Sequence, residues 1–310
     1  MFKYKKPYVI LLLVVATLIT YFVSTRFLNT NVKSDSQTNR TSKNSQSIKS
    51  ANSKRTASSA NDSKKPEREE TLSTSEDNEQ LNSIAFDQLS SGAQKYSYNV
   101  IADNGFNAQF NASEKMVSAS IIKLFIAEYV LTQIQNGQLS ENQSIQGSSL
   151  KSLVTNMITV SDNYATNTII DFVGMDNIQN FISSTGYSNT FLQRKMLDTM
   201  AQQEGRENYT SADDVATLLN KVKNSGDSVY VTIKNLMLQQ QVRTKIPSQL
   251  PGVTIANKTG ELSDVENDVG IIFSGKTNII LVFLTNEVFN TTQERYAIGT
   301  IAKEVYNSLN

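Results

Sequence analysis

The sequence predicts an α/β (α+β) fold: one antiparallel sheet formed by both ends of the folded domain, with an all-helical subdomain inserted between them. Three observations carry this. Strand patterns open the folded region, and Asp103-Asn104-Gly105 supplies a hairpin signal between them. Helical patterns fill the middle, from about Ser120 to Gln240. Strand patterns return near the C-terminus, ahead of one last helix.

Taken in order, residues 1–28 read as a cytoplasmic stub and a signal-anchor transmembrane helix. Lys3, Lys5 and Lys6 precede the apolar run Tyr8–Val23, and Arg26 follows it. Pro7 to Thr25 is 19 residues, roughly 28 Å of helix against a hydrocarbon core of ~30 Å. Tyr4, Tyr8 and Tyr21 suit the two interfaces. The alternative is a cleaved signal peptide, but no small-x-small site follows Val23. The basic flank puts the N-terminus in the cytoplasm and the rest outside the cell. Residues 29–78 are Ser, Asn, Lys, Thr, Gln and Glu with almost no large apolar side chain, so they read as a disordered linker. Residues 79–310 form the folded domain.

Within that domain a helix is expected over Glu79–Leu89, then strands over Lys95–Ala102 and Phe106–Ala112. Ser120–Asn136 is apolar on nearly every side and ends before Gly137, the pattern of a buried central helix. Helices follow at Leu150–Thr159, Asn163–Val173, Asp176–Ser184, Ser211–Lys223 and Ser228–Gln240, with Ser211 and Asp214 spaced as a cap. Late strands are expected at Val253–Asn257, Val269–Ser274 and Ile279–Thr285, and a final helix at Thr291–Leu309.

Composition removes several functions. There is no histidine and no cysteine, which excludes a Ser-His-Asp triad, a Cys-His pair, a His-ligated zinc site and a disulfide framework. The net charge of zero divides into +5 over residues 1–80 and −5 over residues 81–310. An acidic folded domain has no basic footprint for nucleic acid. Nothing calls for a metal or an organic cofactor, and no pattern fixes an oligomeric state.

Three motifs remain, in one order: Ser120-Ile-Ile-Lys123, Ser161-Asp-Asn163 and Lys258-Thr-Gly260. Ser120 and Lys123 lie three apart, on one helical face, with Cβ atoms ~5–6 Å apart. Ser120 falls at a helix start, where free N–H groups can stabilise an oxyanion. Lys123 sits among Ile121, Ile122, Leu124 and Phe125, and burial lowers a lysine pKa toward what a base requires. The pattern is weak alone, because Ser148–Lys151 repeats it in a polar loop. Ser161 can relay a proton and Asn163 can hold an amide carbonyl, or the tripeptide is a helix cap. Lys258 can hold an anionic group, Thr259 adds a donor and Gly260 permits close backbone approach, or the segment is an exposed strand end.

In conjunction, across about Asn78–Asn310, the chain resembles the class A β-lactamases and penicillin-binding serine hydrolases. The resemblance rests on Ser-Ala-Ser120-Ile-Ile-Lys123-Leu-Phe, Met157-Ile-Thr-Val-Ser161-Asp-Asn163 and Asn257-Lys258-Thr-Gly260. It implies a serine hydrolase in which Ser120 forms an acyl-enzyme, Lys123 takes its proton and Ser161 relays a proton to the leaving nitrogen. Lys258 supports the electrostatics, and Asn163 contacts the substrate amide. Thr259 and Gly260 join the binding site, and the N–H groups of Ser120 and Glu261 form the oxyanion hole. The implied ligand is a small-molecule β-lactam or a D-Ala-terminated peptidoglycan peptide.

Two departures stand out. The family carries Arg-x-Glu in a later loop, and its glutamate activates the deacylating water. Here the stretch is Leu192-Gln-Arg194-Lys-Met196-Leu-Asp198, with methionine in the glutamate position. Asp198, Glu204 and Glu207 are the nearby acids able to substitute. The second departure is Glu261, an acid directly after the anion-binding motif. Its run to Asp268 holds four acids and reads either as a solvated turn or as a cation-friendly rim. Arg243 and Lys245 are the cations placed to restore positive charge. Acylation is therefore expected and efficient deacylation is not; the alternative is a non-hydrolysing penicillin-binding sensor or wall-associated binding module.

Overall fold

A computed structural model describes residues 84–310 of the chain. The expected membrane span at residues 7–25 and the linker at residues 29–78 lie outside the described residues. Among the described residues no helix is long and apolar enough to cross a membrane.

The domain opens on a 3-10 helix, Phe86–Ser91, where part of a longer α-helix was expected. The turn is pinned locally, with Leu89 buried and Phe86 stacked on Tyr98 at 4.4 Å. β1 (Ala93–Ala102) and β2 (Asn107–Phe110) form the expected hairpin. A two-residue strand β3 (Met116–Val117) and a 3-10 turn (Ala119–Ile121) lead into α1 (Ile122–Gln135). A small hairpin of β4 (Ser144–Ile145) and β5 (Ser148–Ser149) precedes α2 (Leu150–Thr159). Then come α3 (Asn163–Val173), α4 (Met175–Ser184), the short α5 (Thr199–Gln203) and β6 (Tyr209–Thr210), which pairs with β3. α6 (Ala212–Asn224) and α7 (Ser228–Leu238) complete the inserted helices. The chain returns to the sheet through a 3-10 turn, Ile246–Gln249, into β7 (Thr254–Leu262), β8 (Val265–Phe273) and β9 (Ile279–Val288), and ends in α8 (Thr291–Leu309).

The sheet order is β2-β1-β9-β8-β7, with every neighbouring pair antiparallel. Both ends of the domain thus build one sheet, as the sequence predicts. Alternation along its strands divides the core. Ile271, Ile280, Val282 and Leu284 face the helical subdomain, whereas Ile272, Ile279, Leu281 and Phe283 face α8. α1 is the centre of the helical side: its first nine residues include eight buried ones, and it packs on α2, α4 and α7. The repeat Ser148–Lys151 is separated from any such setting: Lys151 is exposed and pairs with Glu141.

The three late strands outrun their sequence signals, β9 by running to Val288 and the other two by more. β7 continues through Lys258-Thr-Gly260 rather than stopping at Asn257, and β8 starts at Val265 rather than Val269. The acids from Glu261 to Asp268 are correspondingly not a solvated turn. Only Ser263 and Asp264 form the turn, and Glu266 and Asp268 are buried. Each buried acid has a specific partner. Glu266 meets Lys245 at 3.0 Å and Arg295 at 2.8 Å, and Asp268 accepts from the Ile246 N–H at 2.9 Å. Burial still pushes the Asp268 carboxyl up to about 6.

Candidate active site

Ser120 sits in the 3-10 turn at the head of α1, half-buried, with Ala119 before it at φ 45°. A non-glycine residue in that region is strained and must be held by its surroundings. The hold comes from the sheet: the Asn267 side chain donates to the carbonyls of Val117 at 2.9 Å and Ser118 at 3.1 Å. Gly260 of β7 lies directly against the turn. A Cβ there would stand 2.9 Å from the Ser118 oxygen and 3.1 Å from the Ser120 nitrogen. Gly260→Ala is therefore expected to displace backbone at Ser120, with a loss of about 1–3 kcal/mol of stability by overpacking. Melting temperature and the rate of labelling at Ser120 should both fall; if both hold, the seam is looser than this geometry requires.

The second motif lies between α2 and α3. Asp162 caps α3, accepting from the N–H groups of Tyr164 at 2.8 Å and Ala165 at 3.1 Å. The cap reading and the chemical reading therefore coexist, on different residues. With Asp162 committed to the helix, Ser161 (φ 58°) and Asn163 turn toward Lys123. The Lys123 Nζ donates to Asn163 Oδ1 at 2.7 Å, to the Ser161 carbonyl at 2.8 Å and to Ser161 Oγ at 3.2 Å. From the other side, Lys258 Nζ donates to Ser161 Oγ at 3.0 Å and to the Thr259 carbonyl at 2.6 Å. Two lysine donors occupy both lone pairs of one hydroxyl, leaving its own O–H free to donate elsewhere.

Both lysines are fully buried. Burial lowers the Lys123 pKa to about 7, against an opposing pull from the Asp162 charge. Burial also drives Lys258 well below its ordinary range, helped by the like charge of Lys123. A partly neutral lysine at neutral pH can accept a proton, which an ordinary surface lysine cannot do.

The cleft outside Ser120 is lined by Asn163, Arg194, Met196, Glu207 and Glu261, among others. Met196 is only 8% exposed. Its backbone is gripped by the Asn167 side chain, which donates to the Met196 carbonyl at 3.0 Å and accepts from its N–H at 2.8 Å. Arg194 forms a two-point pair with Glu207, at 2.8 and 2.9 Å, which closes the base of the same loop. The three acids able to substitute for a missing base are placed elsewhere or engaged. Asp198 caps α5, accepting from the Ala201 N–H at 2.9 Å. Glu204 is exposed and paired with Arg206. Glu207 borders the cleft but holds Arg194 and accepts from the Asn208 N–H at 2.7 Å.

On the far side of β7, Lys245 is buried behind Thr259 and donates to its Oγ1 at 2.5 Å. Its charge is answered by Glu261 at 2.8 Å and Glu266 at 3.0 Å. Arg243, by contrast, is exposed and is not among the residues lining the cleft. The positive charge expected from this pair is thus supplied by Lys245 alone and is already neutralised. Sequence reasoning missed Asn167 and Asn267, both of which fix backbone at the site. Neither stands out in the sequence, since Asn167 lies between Thr166 and Thr168 and Asn267 between Glu266 and Asp268.

The model of the Beta-lactamase enzyme family matches residues 78–309. The extended-spectrum beta-lactamase PER-1 of Pseudomonas aeruginosa is 24% identical over 235 residues, covering 63% of this chain and 76% of that protein. Among solved structures, a beta-lactamase from Sphaerobacter thermophilus is similar with a TM-score of 0.64 at 23% identity, covering 73% of this chain and 95% of its own. A mutant of PBP-A, described as an acyl-enzyme complex with penicillin G, is similar with a TM-score of 0.65 at 21% identity, covering 74% and 96%. The family match spans the sheet, the inserted helices and all three motifs, and by it this chain belongs to the Beta-lactamase enzyme family.

Proposed function

We propose that this protein is a membrane-anchored extracellular serine hydrolase that is acylated at Ser120 and releases the acyl group slowly. The observation that carries this reading is the meeting of Lys123 and Lys258 on one hydroxyl, Ser161 Oγ, beside the Ser120 cleft. In the proposed reaction Ser120 Oγ attacks an amide carbonyl while its proton passes to neutral Lys123 Nζ. The oxyanion is held by the N–H groups of Ser120 and Glu261. The C–N bond then breaks as Ser161 Oγ passes its proton to the leaving nitrogen and takes one from Lys123 Nζ at 3.2 Å, which returns Lys123 to the neutral form, while Lys258 steadies the charge and Asn163 binds the substrate amide. The ester on Ser120 must next be hydrolysed, and Met196 offers no base for that water.

The substrate class is a β-lactam or a D-Ala-terminated peptidoglycan peptide. The PBP-A acyl-enzyme with penicillin G supports a penicillin as the probe. The basic flank and apolar run at residues 3–26 support attachment to the cell membrane with the domain outside. Met196 specifically favours a penicillin-binding sensor or trap over a rapid β-lactamase.

The test is to incubate the full chain with a fluorescent penicillin and follow the mass of the Ser120 peptide. Label gained and retained is the expected result. Rapid gain and loss would make the protein a β-lactamase, and no label on Ser120 would overturn the acylation chemistry.

A further inference from the structure

Ser161 follows the end of α2 with a left-handed backbone, φ 58°. A serine in that region must be held by its surroundings, and the last carbonyls of a helix have no partner within it. One hold is local: the Asn156 carbonyl accepts from the N–H groups of Val160 at 3.3 Å and Asp162 at 3.2 Å. The other is remote in sequence. Gln240 follows α7 and is only 3% exposed. Its Nε2 donates to the Ile158 carbonyl at 2.8 Å, across 82 positions, and the Gln241 N–H donates to the Thr159 carbonyl at 2.9 Å. Gln240 Oε1 accepts from the Val242 N–H at 3.0 Å, so both ends of the amide are engaged.

The Val242 carbonyl in turn accepts from Asn257 Nδ2 at 3.3 Å. Asn257 precedes Lys258 on β7, the edge strand of the sheet. Alternation puts these two side chains on opposite faces. Lys258 reaches Ser161 on the helical side, while Asn257 reaches Val242 and Asp268 on the other. The segment Gln240–Val242 therefore passes the edge of β7 and joins the end of α2 to the strand that carries Lys258.

We propose that Gln240 is a positioning residue for Ser161. With Gln241 and Val242 it ties the Ser161 turn to β7, and so sets the 3.0 Å approach of Lys258 Nζ to Ser161 Oγ. The inference rests on the acyl-enzyme reading above and deepens its second step, in which Ser161 Oγ passes its proton to the leaving nitrogen. Gln240 is not among the residues lining the Ser120 cleft, so it acts through the turn. Misplacing a reacting group by about 1 Å can cost about 10²-fold in rate.

The test compares labelling of Ser120 in the full chain by penicillin G and by p-nitrophenyl acetate, each followed by the mass of the Ser120 peptide. Opening the penicillin requires a proton on its leaving nitrogen, whereas p-nitrophenolate leaves as a stable anion. The penicillin-to-ester ratio of second-order rates is expected to fall by about tenfold or more in Gln240→Met, which keeps the length and loses both amide bonds. Gln240→Glu keeps the bond from the Val242 N–H, loses the donation to Ile158 and should show most of the same fall. The ratio cancels any inactive fraction that lost stability alone would create. A ratio within about twofold of wild type in both variants overturns the proposal. Amide exchange at Asp162 judges the strut without acylation. Exchange faster by about tenfold or more in Gln240→Met, with the protection of α1 kept, supports the proposal, and unchanged exchange at Asp162 overturns it. If neither reagent labels Ser120 in the wild type, the acyl-enzyme reading fails and Asp162 exchange alone decides the strut.

Discussion

Met196→Glu is expected to shorten the lifetime of the Ser120 acyl group by about 10²–10⁴-fold, the range over which a positioned general base acts. The substitution is well placed for three reasons. Met196 lines the Ser120 cleft. Its backbone is fixed by two hydrogen bonds with the Asn167 side chain, one donated and one accepted, so a new side chain inherits a defined origin. The Arg194–Glu207 pair that closes the loop does not involve the Met196 side chain. Glutamate is close to methionine in length, so the cleft need not be rebuilt. The check is to acylate with penicillin, remove the excess and follow recovery of the free Ser120 peptide by mass. An unchanged half-life, in a variant that is folded and acylates normally, would show that a base at this position cannot reach the ester.

Lys123→Met is expected to lower the acylation rate by a similar factor of about 10²–10⁴. In the wild type, the neutral form of Lys123 is the base, and burial lowers its pKa to about 7. The acylation rate should therefore rise about tenfold per pH unit below pH 7 and level off above it. In Lys123→Met that limb should vanish. Folding provides an internal control. The folded pKa is depressed below the unfolded one, so the unfolded chain binds the extra proton between about pH 7 and the ordinary lysine pKa of ~10.4. Burying Lys123 thus costs stability at neutral pH, and that cost fades as the pH rises through this window. Methionine carries no such charge, so the variant should melt no lower than wild type at neutral pH. A rate that keeps its alkaline rise in Lys123→Met would remove Lys123 from the role of base.

Much of the fold was legible because its signals are local. α2, α3 and α8 occupy the spans their patterns predict, and each has its own cap: Ser149, Asp162 and Asn290. The strand ends were not legible, because Lys258, Glu266 and Asp268 look like solvent-facing residues until their partners are known. Those partners are remote in sequence: Lys258 meets Ser161 across 97 positions, and Glu266 meets Arg295 across 29. The same limit applied within the site. The three motifs could be named from spacing, but not the engagement of Glu207 by Arg194, the cap formed by Asp198 or the pairing of Glu261 with Lys245. Each is a polar contact chosen by tertiary packing among several acids of equal promise.

The Ser120 turn belongs to neither half of the molecule alone. It begins a helix buried in the helical core, yet Gly260 and Asn267 of the sheet clamp its backbone. Ser161 likewise belongs to the helices and is bound by Lys258 of the sheet. Any sub-global opening that parts the helices from β7 must take Lys258 from Ser161 and the backbone clamp from Ser120 in one event. The seam therefore makes reactivity a property of the whole cooperative unit, with no partly open species able to acylate.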